Sequence, residues 1–270
     1  MAKIIFFQAH PDDLEHKCGH LIHYLTNRSK KDNIIKIASI TKGEFGLPGS
    51  KYDEFKGELL AKIRIKELYK AESIHGIPPK NIDFFGYVDG FVTFNKNFIM
   101  RIVEYLKEEK PDIIIAPEAI YSWYHHMDHI NTGRALYYII YKKLIDSTPI
   151  LYFYTSLHPN FFFGFKKKDI KTLTYKLIAC HKTQQWLLRY TMLPYRPFSK
   201  FAARKLPGWN YAEPYRRVYF NKKNLHRNKP PLIVRIFTHF FSTLPWTKAK
   251  YPQDLLLGLK EKREKNNIIK

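Results

Sequence analysis

The sequence predicts an α/β fold: a Rossmann-like, mostly parallel sheet with helices on both faces and a site at the strand carboxyl ends. Three observations predict it. Short apolar runs, such as residues 4–7 and 112–116, alternate with longer stretches of helical periodicity. The connections between them are short, which favours right-handed crossovers and parallel pairing. The runs also close in polar residues, glycine or proline, and open α/β sheets border their ligand crevice with such strand ends.

Residues 4–7 form the first strand, and Pro11 stops it because proline cannot donate a ladder hydrogen bond. Residues 16–25 read as a helix with Cys18, Leu21, Ile22 and Leu25 on one face. A second strand over 33–40 leads into a loop at 41–46 punctuated by Gly43 and Gly46. Residues 54–73 are helical, with Leu59, Ile63, Leu68 and Ala71 roughly on one side and His75-Gly76 as the stop. A third strand at 82–85 runs into a loop at 86–90. The helix at 97–109 ends before Pro111, and a fourth strand at 112–116 closes at Pro117-Glu118. Residues 131–143 make the next helix. Beyond Leu151 the pattern loosens into a strand at 151–154, a helix at 171–189 and an irregular loop at 194–207.

A chain of 270 residues with 45% hydrophobic content can bury a substantial core. Cys18 and Cys180 are its only cysteines, which argues against a disulfide scaffold or a cysteine zinc knuckle and suits a reducing compartment. Residues 4–7 are too short for a signal-peptide core, and no run approaches the ~18 apolar residues of a membrane span. The formal charge of +22 is uneven: residues 1–160 hold 21 Lys and Arg against 19 Asp and Glu, residues 161–270 hold 25 against 5. So basic a C-terminal part implies an anionic partner.

His10, Asp12 and Asp13 stand at the end of the first strand, and grouped ionisable side chains beside a core cost free energy unless paired or metal-bound. Histidine with carboxylate is first-row metal chemistry. The alternative is an Asp-rich turn in which Asp12 or Asp13 caps the next helix. A second cluster, His125-His126-Met127-Asp128-His129, follows the fourth strand and opens a helix. His126 and His129 are three apart, neighbours on one helical face, so one can bind a metal while the other stands beside it. Asp128 can hydrogen-bond a ring nitrogen and fix its tautomer.

Ala9-His10-Pro11-Asp12-Asp13-Leu14-Glu15 and His126-Met127-Asp128-His129 resemble the two signature motifs of the PIG-L or LmbE-like zinc de-N-acetylases. The likeness extends over roughly residues 3–220 and takes in 41–46, Arg64 with Glu67, Asp89-Gly90 and 179–184 with His181. It implies a zinc-dependent N-deacetylase that removes acetate from a GlcNAc-containing conjugate, whether phosphorylated, nucleotide-linked or lipid-linked. It further implies His10, Asp13 and His129 as ligands of one Zn2+, Asp12 as general base, and His126, tuned by Asp128, at the oxyanion and leaving amine. Arg64 and Asp89 are implied to reach substrate hydroxyl or phosphate groups. His16-Lys17 and His20 depart from the smaller residues common in that helix. The ligand set also suits other divalent first-row metals.

The expected organisation is a deacetylase domain over 1–220 and a basic, partly amphipathic extension over 221–270. If helical, 232–241 gathers Ile233, Ile236, Phe237, Phe240 and Phe241 on one side. Such a face either packs on the core or meets an anionic membrane through residues 222–270. The expected location is cytoplasmic, peripheral at the inner membrane surface. The competing function is a basic protein that binds nucleic acid or an anionic membrane and carries a non-catalytic metal site. Against its nucleic-acid form, no RNA- or DNA-binding signature appears, and His10–Asp13 would have no role.

Overall fold

In a computed structural model, residues 2–15, 17–29, 32–46 and 50–243 are described; His16 and residues 244–270 lie outside them. Seven strands form one sheet in the order β3-β2-β1-β4-β5-β7-β6. β1 (Lys3–Gln8), β2 (Ile34–Thr41), β3 (Ile82–Tyr87), β4 (Ile113–Pro117) and β5 (Ile150–Tyr154) pair in parallel. β6 (Phe161–Phe165) and β7 (Tyr211–Arg217) add to the β5 edge antiparallel. The mostly parallel α/β architecture is as the sequence predicts.

Along β1 the side chains alternate between the two faces, as a strand requires. Ile4 and Phe6 pack with Leu21 and Ile22 of α1 (Gly19–Asn27) and Leu68 of α2 (Glu58–His75). Ile5 and Phe7 pack with Phe98, Ile102 and Leu106 of α3 (Lys96–Glu109) and Leu136 and Ile139 of α4 (Met127–Tyr141). Full burial of each such side chain stabilises the fold by about 1.5–3 kcal/mol. β1 lies between β2 and β4, so the chain winds one way from β1 to β3 and the other from β4 to β5. The crevice of a doubly wound sheet forms at that reversal, outside the carboxyl ends of β1 and β4. Both histidine clusters follow those two strands.

The C-terminal part departs from expectation. After α5 (Lys167–Asp169), a single wide helical turn and α6 (Tyr175–Cys180), the chain turns at 181–184 and forms α7 (Gln185–Ala203), a helix through most of the expected loop. Two prolines inside α7 argued for a loop, each costing roughly 3 kcal/mol in a helix interior. Packing overrides them: Leu188 and Met192 seat on Ile178, and Ala202 and Ala203 on Ala212 of β7. β7 itself carries Glu213, Pro214 and Arg216 and so lacks the apolar pattern of a central strand. α8 (Leu232–Thr243) has no buried residue, and Ile233, Ile236, Phe237 and Phe240 are exposed. No helix among the described residues is long and apolar enough to cross a membrane.

Candidate active site

The chain leaves β1 through a turn drawn tight by Asp13, whose Oδ2 accepts the backbone N–H groups of Ala9 and His10 at 3.0 Å each. Asp12 holds φ 150°, a backbone conformation L-residues rarely adopt, and its Oδ1 pairs with Arg64. The second cluster is placed by α4. His126 is the N-cap, its Nδ1 accepting the N–H of Asp128, and His129 falls in the first turn. Gly133 lets α4 approach this closely, since a Cβ there would stand 2.3 Å from the carbonyl oxygen of Pro117.

The clusters meet. His10 Nδ1 lies 3.2 Å from His129 Nε2, which lies 3.3 Å from Asp13 Oδ1, and Asp13 Oδ2 is 4.0 Å from His10 Nδ1. Tetrahedral zinc with bonds of ~2.0–2.2 Å sets its donors ~3.3–3.6 Å apart, close to the His10–His129 and His129–Asp13 Oδ1 spacings, whereas Asp13 meets His10 with its other oxygen and lies outside the groups whose ligand atoms all converge. A nitrogen of His126 also falls within 4.8 Å of nitrogens of His10 and His129. The far side of His10 supports the same arrangement. Its Nε2 faces Asp89 Oδ1 at 2.9 Å and Asp128 Oδ2 at 3.1 Å, so that nitrogen carries the proton and Nδ1 is left to coordinate.

The electrostatics follow from these contacts. Burial opposes charge on His10, but Asp89 and Asp128 outweigh it and hold its pKa well above the ordinary value. Burial would raise Asp13, yet His129, Lys17 and His10 hold its carboxyl far below the usual range. Asp89 is held low in the same way by His10 and Arg64, against burial. Burial pushes the Asp12 carboxyl up to about 6, Arg64 pulling the other way. Burial lowers His126 and His129, keeping both imidazoles neutral.

Arg64 is buried and turned inward. It donates to the carbonyls of Gly43 at 2.9 Å and Pro11 at 3.0 Å and pairs with Asp12 Oδ1 at 3.1 Å. This differs from the expected substrate-facing guanidinium. Gly43 makes room for it, since a Cβ there would overlap the guanidinium at 2.2 Å. Asp89 likewise serves the frame, accepting the N–H groups of Phe45 and Gly46 besides facing His10. Asp128 corrects the expected tuning of His126: its carboxylate bonds His10 and the N–H groups of Gly90 and Val92, and only its backbone N–H meets His126.

Other residues enter whose partners the motifs did not show. Lys17 is buried with its ammonium 3.4 Å from Asp13 Oδ1 and beneath the ring of Tyr124. No periodicity marks it, because it lies in the turn before α1. Glu213, otherwise readable as a pocket residue, caps α1 by accepting the N–H groups of His20 and Leu21. Glu118 is taken up by Arg216 in a two-pronged pair, both bonds 2.6 Å, and His181 by Glu15. His125 stands outside the groups whose ligand atoms converge.

Residues 5–140 match the family model described as PIG-L, GlcNAc-PI de-N-acetylase. A diacetylchitobiose deacetylase of Thermococcus kodakarensis is 27% identical over 131 residues, 48% of this chain and 46% of that protein. The match thus spans about half the length of that curated relative. Among solved structures, the N,N'-diacetylchitobiose deacetylase of Pyrococcus horikoshii superposes with a TM-score of 0.67 at 23% identity, covering 80% of this chain and 84% of that one. A deacetylase of teicoplanin biosynthesis follows at TM-score 0.59 and 12% identity, covering 81% and 100%. The 4-carboxy-2-hydroxymuconate hydratase of Pseudomonas putida KT2440 reaches TM-score 0.62 at 16% identity, covering 81% and 97%. At these identities the likeness is one of fold, and that fold carries more than one reaction class.

Proposed function

Because the chain belongs to the PIG-L family of GlcNAc-PI de-N-acetylases, we propose that it is a metal-dependent N-deacetylase releasing acetate and a free amino sugar from a GlcNAc-containing conjugate. One observation carries the reading: ring nitrogens of His10, His126 and His129 converge, with Asp13 Oδ1 3.3 Å from His129 Nε2 and Asp12 held alongside by Arg64. The diacetylchitobiose deacetylase of T. kodakarensis supports a small glycoconjugate as substrate.

His10, Asp13 and His129 would hold the ion, with zinc favoured by the mix of imidazole and carboxylate. When bound, it supplies Lewis acidity, acidifying a water and drawing charge from the amide carbonyl. Asp12, outside that donor set, takes the proton of the attacking water. Arg64 keeps its carboxylate in position. His126 accepts the Asp128 N–H at Nδ1, so its neutral ring carries hydrogen on Nε2 and presents a donor to the developing oxyanion. This favours Asp12 over His126 as the group that returns the proton to the departing amine, since a second proton on His126 would sit against the Asp128 N–H. Asp128 and Asp89 act through His10 by fixing its tautomer.

The proposal keeps the division at residue 220: the sheet ends at Arg217, and the described part of 221–270 buries no residue of α8. The test is acetate release from a panel of GlcNAc conjugates, with wild type and Asp12→Asn, beside metal analysis of the purified protein. A protein that takes up no zinc, or an Asp12→Asn variant with full activity, would overturn the assignment.

A further inference from the structure

Between residues 170 and 212 the chain holds eight Lys and Arg and no Asp or Glu. α7 runs through the middle of this stretch and sorts it into rows. Trp186, Tyr190, Leu193 and Phe201 recur at helical spacing and are exposed, at 65%, 54%, 68% and 62%. Arg189, Arg196, Lys200 and Arg204, also exposed, line the flank of the same face. The opposite side is seated on the body through Leu188, Met192, Ala202 and Ala203, so the face is held out by a fixed support. Beside it lies a groove of about 520 Å³ between α6 and α7. Arg189 and Arg196 stand at its walls, with Ile178, Met192 and Leu193 as apolar lining, and Arg196 lies over the ring of Tyr175.

We infer that this face of α7, with its groove, docks on an anionic phospholipid surface. Aromatic and leucine side chains next to a basic row suit the boundary between headgroups and acyl chains, where rings sit at the interface and cations meet phosphate. Guanidinium forks grip phosphate oxygens two at a time, and the groove places two of them over apolar lining that an acyl chain covers. A soluble polyanion without rings would use the charges and leave the four exposed apolar side chains in water, and a single-stranded nucleic acid, which stacks on rings, would leave Leu193 and the groove's aliphatic lining uncovered. α8 presents a comparable apolar face with Arg235 as its one Lys or Arg, so α7 is the stronger surface. The face is also tied to the candidate site. Gln184, just before α7, abuts Gly46, whose N–H bonds Asp89, and Asp89 faces His10.

The test is co-sedimentation of the full chain with phosphatidylcholine vesicles, with and without phosphatidylserine. Binding is expected only with phosphatidylserine and should weaken with salt. In the triple variant R189Q/R196Q/K200Q, partitioning should fall by about a hundredfold, each basic side chain near such a surface being worth about fivefold. Removal of residues 222–270 should leave most of the binding. Equal binding to both vesicles, retention in the triple variant, or loss on removing 222–270 alone would overturn the inference. So would full competition by inorganic phosphate, or a dimer broken by W186A/L193A in a protein that ignores vesicles. Hydroxyl-radical footprinting of the wild type needs no variant to fold: vesicles should protect Trp186, Tyr190 and Leu193, and unchanged labelling there refutes docking through α7.

Discussion

Asp128 reaches across the crevice to His10, its Oδ2 3.1 Å from Nε2, although His126 is its near neighbour in sequence. The contact joins the strand ends of β1 and β4 and fixes the ring nitrogen that remains free to coordinate. Removing such a partner typically costs 10–100-fold in metal affinity. Asp128→Ala should therefore bind zinc about 10–100-fold more weakly, as read by competition with a chromophoric chelator, and Asp13→Ala should retain none after dialysis. Wild-type affinity in Asp128→Ala would show that the contact is incidental.

Asp12→Asn should keep its metal and its fold while losing acetate release by about 10²–10⁴-fold, the usual worth of a positioned base. Arg64→Ala should fall in the same assay, since Asp12 loses its partner and the carbonyls of Pro11 and Gly43 lose their donor. Loss of metal from either variant would point to a collapsed turn and away from a missing base.

The parallel half of the sheet, and the motif residues on it, were legible because each strand is a short apolar run with a hard stop. Pro11 and Pro117 are such stops; His10, Asp12 and Asp13 flank the first, and His126 and His129 follow the second. Partnership was not legible. That Asp128 serves His10, or that Arg64 folds inward onto Pro11 and Gly43, depends on contacts 118 and 53 residues apart in sequence. β7 escaped for a different reason: Glu213 and Arg216 point into the protein because α1 needs a cap and Glu118 a counter-ion. A strand whose polar residues are satisfied internally shows no apolar alternation. In α7 the local proline penalty lost to packing against β7, which propensity cannot foresee.

Glu118 and Arg216 form a buried pair between the end of β4 and the middle of β7, with Arg216 set against the rings of Tyr121 and Phe153. Arg216→Ala strands the carboxylate without a counter-ion, and breaking a buried pair from one side costs about 3–5 kcal/mol. Urea unfolding should show that loss, whereas Glu118→Gln/Arg216→Met together should lose less than the two single changes summed.

Burial lowers His20 and His75 to about 3 each, so both rings are neutral in the fold. Below their unfolded pKa near 6.5 the unfolded chain binds protons that the folded one refuses. Stability is therefore full above about pH 6.5 and falls on acidification towards 3, by about 1.4 kcal/mol per pH unit for each ring. Neither nitrogen of His75 has a hydrogen-bond partner among the described residues. His75→Leu should flatten the acid slope by about that amount per unit and hold or raise stability at neutral pH, as measured by urea midpoints through the window. An unchanged slope would mean that His75 is not buried neutral.

Among the described residues β7 is the last strand in sequence, yet it lies between β5 and β6, both made earlier. A ribosome therefore delivers every residue of the two histidine clusters long before the sheet can close, leaving the backbone of β5 bare on one side until Tyr211–Arg217 emerges. During that interval the nascent chain offers a ready template to any passing strand. The vulnerable moment in its manufacture thus comes after both histidine clusters have been built.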